Sequence, residues 1–120
     1  MVMAWQVDFY EEGDGSAPVE VFLEGLSKQQ RAKALALIKL LEEQGTTLPF
    51  PYSSQVRGRL RELRTRLGKT RLRILYFGDP RRVFVLLHGF IKAEEKLPGA
   101  DLRLAEQRMA AHLHRLERRK

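Results

Sequence analysis

The sequence predicts an α+β fold in the order β-α-α-β-β-β-α, and three observations carry that reading. Residues 3–10 alternate aromatic and polar side chains, residues 16–45 place apolar residues at helical spacing, and residues 60–90 hold three strand-like runs parted by turn formers before a last amphipathic stretch. A strand, a helical pair, three strands and a closing helix suit a helical hairpin packed on one face of a mainly antiparallel four-stranded sheet, with the other face left for function.

Each element has a local cause. From Met3 to Tyr10, Trp5, Val7 and Phe9 fall on one side and Gln6 and Asp8 on the other, the period of a half-buried strand. After the turn-forming EEGDGS, Ser16 can cap a short helix with Pro18 in its first turn, and Val19, Phe22, Leu23 and Leu26 make its apolar stripe. Ser27 followed by Gln30 has the pattern of a capping box, opening a second helix with a stripe of Ala34, Leu37, Ile38 and Leu41 until Gly45 stops it. Thr46 to Gln55, interrupted by prolines, reads as a linker. Leu60–Arg64, Thr70–Phe77 and Arg82–Phe90 read as strands, the last two joined by Gly78-Asp79-Pro80-Arg81, and short connections favour antiparallel pairing. Asp101 is the expected N-cap of a helix running toward Arg118, with Leu102, Ala105, Met109, His112 or Leu113, and Leu116 on its apolar side.

The chain has 120 residues and 43% hydrophobic content, enough for one core, so residues 1–120 are expected to form a single domain. It contains no cysteine, which removes disulfides, thiol nucleophiles and cysteine-based zinc sites together. The start lacks a basic flank followed by a long apolar run, and no segment approaches the roughly 18 apolar residues of a membrane span, so a cytoplasmic protein without membrane contact is expected. Neither G-x-G-x-x-G nor a P-loop occurs, and no cofactor is expected. His112 and His114, two residues apart on a helix, face different ways, which argues against a metal site.

Charge is sorted along the chain. Residues 57–82 contain nine arginines and one lysine against Glu62 and Asp79, a local net of +8 within a total of +7. Cations of that density on a strand-rich segment suit an anionic polymer, although a solvated basic face would have the same composition. In Thr70–Phe77, alternation puts Arg71 and Arg73 on one face with Leu75, and Leu72, Ile74 and Tyr76 on the other. Arg64 and Lys92, near the ends of the neighbouring strands, could converge on the same rim. Such a cluster suits RNA cleavage in which a 2′-hydroxyl attacks the adjacent phosphorus, because guanidinium groups grip phosphate oxygens and stabilise the charge that develops in the transition state. His88 lies in the apolar run VFVLLHGF, where a hydrogen-bonded strand histidine is the better reading than an acid or base. Trp5, Phe9, Phe22 and Phe84 are assigned to core, and Tyr52 and Tyr76 are the aromatics considered for stacking on a base.

Several ordered blocks carry a resemblance: Leu60-Arg61-Glu62-Leu63-Arg64, Leu72-Arg73-Ile74-Leu75-Tyr76-Phe77, Leu86-Leu87-His88-Gly89-Phe90-Ile91-Lys92, then Pro98 and a helix with Ala105 and Arg108. From Leu60 to about Met109 the chain resembles the phage-derived HigB-like branch of the RelE/ParE superfamily, the toxins of type II toxin–antitoxin operons. The resemblance implies a RelE-like fold and a ribosome-dependent, metal-independent mRNA endonuclease. It would be neutralised by a cognate helix-turn-helix antitoxin and meet operator DNA only through that antitoxin. Carried over by residue, it implies Arg64, Arg73 and Lys92 as catalytic residues, with Arg61, Arg71, Tyr76 and Lys96 binding RNA. The branch usually shows two adjacent lysines after Gly-Phe, whereas here Lys92 is followed by Ala93, Glu94 and Glu95, and Lys96 is the candidate to substitute. Two alternatives stay open: a non-enzymatic ParE-like toxin that binds and poisons DNA gyrase, and a plain nucleic-acid-binding protein.

Overall fold

A computed structural model describes residues 5–93 and 99–119. Strand β1 (Gln6–Phe9) leads into helices α1 (Pro18–Glu24) and α2 (Lys28–Gln44) and a short 3-10 turn at Gly45–Thr47. Then come β2 (Ser53–Arg57), β3 (Leu60–Leu67), β4 (Thr70–Gly78), β5 (Val83–Lys92) and helix α3 (Gly99–Arg118). The sheet order is β1-β5-β4-β3-β2, with β1 parallel to β5 and the other neighbours antiparallel.

The α+β class and element order expected from sequence are present, with one strand added. β2 begins in the last three residues of what reads locally as a linker and runs two residues past it; SSQVR has no apolar alternation, and it becomes a strand by pairing with β3 at the sheet edge. β3 runs three residues beyond Arg64, so Arg66 belongs to it, and it turns into β4 through Gly68 and Lys69 with Gly68 at φ 60°. Glycine adopts that left-handed conformation without penalty, which suits the twist of a two-residue hairpin.

Both faces of the sheet are covered. On one, Leu63, Leu72, Ile74, Tyr76, Phe84 and Leu86 pack against Val19, Leu23, Ala34, Leu37, Ile38 and Leu41 of the helical hairpin. On the other, Leu60, Leu75, Phe77, Val83, Val85 and Leu87 pack against Leu102 and Ala105 of α3. The expectation that the second face stays wholly open is therefore corrected: the central strands β4 and β5 carry apolar residues on both sides, and each fully buried large side chain contributes about 1.5–3 kcal/mol only if something covers it. Trp5, Phe9 and Phe22 pack against the first core, as expected, and Trp5 lies 4.8 Å from Phe84 between ring centroids.

Capping agrees with the sequence at one helix and departs from it at two. Ser27 and Gln30 form the reciprocal capping box, with the Gln30 N–H donating to Ser27 Oγ at 3.1 Å and the Ser27 N–H to Gln30 Oε1 at 3.0 Å. Ser16 does not cap α1: its hydroxyl and amide both donate to Asp14 Oδ1, and Ala17 occupies the cap position before Pro18. Asp101 is not the N-cap of α3 but sits inside its first turn, its carboxylate engaged by His88.

A candidate nucleic-acid interface

The arginines come together through strand register. Across β3, β4 and β5, Arg66, Arg71 and Lys92 form one row, Arg64, Arg73 and Phe90 the next, and Glu62, Leu75 and His88 a third. Directly paired residues share a face, and so do residues two apart on one strand, so these nine side chains lie on one side of the sheet. It is the side that α3 covers further along, with Phe90 and Leu75 at the edge of that apolar patch.

Lys92 reaches this face because β5 is bulged. Leu75 pairs with His88 but the next residue, Tyr76, pairs with Leu86, so Leu87 is the extra residue. Val83, Val85 and Leu87 face α3 before the bulge, and Phe90 and Lys92 take the same side after it. Strict alternation from Val83 would have sent Lys92 to the hairpin side; the inserted residue reverses it. Gly89 then falls on the hairpin side, where an added Cβ would overlap the ring of Phe22.

The cations differ in environment. Arg64 has 29% of its side chain exposed, with Nε 3.7 Å from Glu62 Oε1 and its guanidinium carbon 5.1 Å from the centre of the Phe50 ring. Arg73 is buried at 5% exposure, so the residue that the resemblance implies as catalytic does not lie open on the surface. Its NH1 donates to the carbonyls of Leu72 at 3.0 Å and Thr65 at 3.4 Å, and its Nε stands 3.9 Å from Glu62 Oε1, beyond hydrogen-bond reach. Burial pushes the Arg73 pKa down, the nearby Glu62 carboxylate opposes that, and Arg64, Arg71 and Arg66 add to it by repulsion. Glu62, itself buried, is the counter-ion that sequence reading missed. The period-two spacing of Glu62, Arg64 and Arg66 held the signal once the strand was extended.

A cavity of about 360 Å³ opens beside the cluster, lined by Lys33 of α2, Pro51 and Tyr52 of the turn before β2, and Arg64, Thr65, Arg66, Arg71 and Arg73. Tyr52, in its lining, is 47% exposed, and Phe50, which lies outside the lining but under the Arg64 guanidinium, is 69% exposed.

Two further candidates lie elsewhere. Tyr76 is 1% exposed in the hairpin-side core, its hydroxyl 2.6 Å from Ser53 Oγ, and no base can reach its ring there. Arg61 is on the same side, donating through Nε and NH2 to Ser53 Oγ. Tyr76 sits on the apolar half of the β4 alternation, so its place follows from the strand period itself. Lys96 falls outside the described residues.

Both ring nitrogens of His88 are engaged. Nε2 lies 2.5 Å from Asp101 Oδ1, and Nδ1 lies 3.2 Å from NH1 of Arg108, which also donates to the Leu87 carbonyl and, through Nε, to Glu12. The imidazole thus ties α3 to the bulge, in keeping with its reading as a hydrogen-bonded strand histidine. His112 binds the other end of α3 to the β4–β5 turn, 3.0 Å from Asp79 Oδ2. Burial alone would raise the Asp79 carboxyl, but hydrogen bonds from Arg81, His112 and the backbone of Arg81 and Val83 outweigh it and hold the pKa below its ordinary value. None of the helices among the described residues is long and apolar enough to cross a membrane.

The model of the family described as "Phage derived protein Gp49-like (DUF891)" matches residues 21–110. The chain is also 33% identical over 100 residues to the protein named "Putative toxin HigB2" of Mycobacterium tuberculosis (strain ATCC 25618 / H37Rv), an alignment covering 73% of this chain and 50% of that relative. It therefore spans half the length of the relative it matches. Both matches agree with the resemblance read from the strand blocks, and the chain belongs to the phage-derived Gp49-like family, as a HigB-like member.

Proposed function

We propose that the chain is the toxin of a type II toxin–antitoxin pair and cleaves mRNA on the ribosome in the cytoplasm. The observation that carries this reading is the three-strand register that sets Arg64, Arg66, Arg71, Arg73 and Lys92 on one face beside an open cavity. In this reading Arg64 and Lys92 contact the scissile phosphate and stabilise the added charge of the pentacovalent state as the 2′-hydroxyl attacks. Arg73 contributes from below: held by two carbonyls and Glu62, it supplies positive potential and keeps β3 and β4 in register under the phosphate. Arg71 extends the phosphate track. Arg61 and Tyr76 have no part in it. The ribosome supplies the alignment of the 2′-hydroxyl with the leaving oxygen, an entropic contribution that a cationic face alone does not provide. The partner is an antitoxin with a helix-turn-helix domain and an acidic segment that covers this face.

The test is induction of the chain in cells, followed by primer extension on translated mRNA. Cuts within codons are expected from the wild type, and Arg64→Ala and Lys92→Ala should reduce them about a hundredfold. Intact mRNA together with gyrase-linked DNA breaks would instead establish the non-enzymatic reading. One observation favours that second reading: Arg73, implied by the resemblance to be catalytic, is buried beside Glu62, with its Nε 3.9 Å from that carboxylate.

A further inference from the structure

Phe50 and Tyr52 are large apolar side chains left in solvent beside a cluster of guanidinium groups, in a turn fixed by Tyr52 and Ser53 N–H groups donating to the Pro49 carbonyl at 3.0 and 3.1 Å. Phe50 is the most exposed of the large hydrophobics in the described residues, and its ring already stacks under Arg64. Packing does not account for two exposed rings here, since neither Phe50 nor Tyr52 belongs to the buried clusters. Tyr52 lines a cavity of about 360 Å³, near the lower end of the ~300–1,000 Å³ of small-molecule clefts, and Phe50 reaches it through Arg64, which lines the cavity and lies over the Phe50 ring.

We infer that the Phe50–Tyr52 turn is the base-binding wall of the arginine cavity, stacking one unpaired nucleobase whose adjoining phosphate lies on Arg64 and Arg66. This rests on the proposed RNA reading and deepens it by assigning a site for the base as well as the backbone. Base stacking on aromatic rings is tolerant of sequence because every base offers a π-face, and an arginine stacked on the same ring adds a cation–π contribution. The surface is built for that combination: flat apolar rings and cations within one turn and two strands. A purely acidic peptide would use the arginines and leave the rings without a role.

The experiment uses the full chain and a single-stranded RNA heptamer carrying 2-aminopurine, with 2′-O-methyl riboses to prevent cleavage. Affinity, fluorescence quenching and salt dependence are measured for the wild type, Phe50→Ala/Tyr52→Ala and Arg64→Ala. Quenching is expected with the wild type. The double aromatic variant should lose it and bind about tenfold or more weakly, with an unchanged salt slope. Arg64→Ala should lower the salt slope by about 0.7, the signature of one lost phosphate contact on a single strand. An abasic heptamer should bind the wild type no better than the intact heptamer binds the aromatic variant. Tight, salt-dependent binding without quenching, or with the aromatic variant unaffected, would overturn the base site and leave the RNA reading standing. No RNA binding by the wild type would overturn both, and an acidic heptapeptide whose affinity depends on Phe50 and Tyr52 while RNA affinity does not would overturn the base site alone.

Discussion

Removal of the Arg73 side chain should unfold the protein more readily before it reports anything about chemistry. Arg73 and Glu62 have 6% and 9% of their side chains exposed, so alanine at position 73 leaves a buried carboxylate whose remaining ion-pair contact to Arg64, at 3.7 Å, is partly in water. Breaking one side of a buried ion pair typically costs about 3–5 kcal/mol. The remaining Arg64 contact argues for the lower end, so Arg73→Ala is expected to lose about 3 kcal/mol, or about 10 °C in Tm for a domain of this size. Replacing both partners by neutral residues of similar shape, Glu62→Gln with Arg73→Met, should return stability to within about 1 kcal/mol of the wild type. Arg64→Ala, which removes a 3.7 Å contact partly open to solvent, should cost about 1 kcal/mol. Urea unfolding followed by the fluorescence of Trp5, the sole tryptophan, measures the three variants against the wild type. Arg73→Ala as stable as the wild type, or a double variant as weak as Arg73→Ala, would refute the view that the pair is a buried, mutually dependent unit. Toxicity of Arg73 variants should accordingly be compared only at equal amounts of folded protein.

Asp79→Asn should cost about 2–3 kcal/mol at neutral pH, because its hydrogen bonds from Arg81, His112 and the turn backbone lose their charge assistance. The Asp79 pKa is lowered in the folded state, so its contribution is present above the unfolded carboxyl value and vanishes as pH falls through the folded one. Urea midpoints from pH 7 to pH 3 should therefore fall more steeply for the wild type than for Asp79→Asn, and parallel profiles would contradict the assignment. Ser27→Ala, which breaks the capping box of α2, should cost about 1 kcal/mol in thermal unfolding. Gly45→Ala should cost about 2–4 kcal/mol by the same measure, since Gly45 has φ 55° and the Trp5 indole occupies the space of a Cβ.

Much of the fold was legible because its causes are local. The α2 capping box, the stop at Gly45, the apolar stripes of α2 and α3 and the two faces of β4 each follow from spacing within one segment, and so did the sharing of a face by Arg71 and Arg73. The family blocks between Leu60 and Met109 carried the relationship as well. What sequence could not decide depended on partners distant along the chain. β2 exists because β3 offers it an edge, although SSQVR carries no strand period of its own. Arg73 is buried because Glu62 across the β3–β4 pair and two carbonyls replace its water, a cancellation that its own charge does not reveal. Lys92 joins the arginines only because β5 gains one residue against β4 at Leu87, and period-two reading reverses at a bulge that nothing in VFVLLHGF marks. The exposed Phe50 and Tyr52 likewise acquired meaning once the turn before β2 was folded against Arg64, because stacking and charge act through space and leave no fixed interval in the chain.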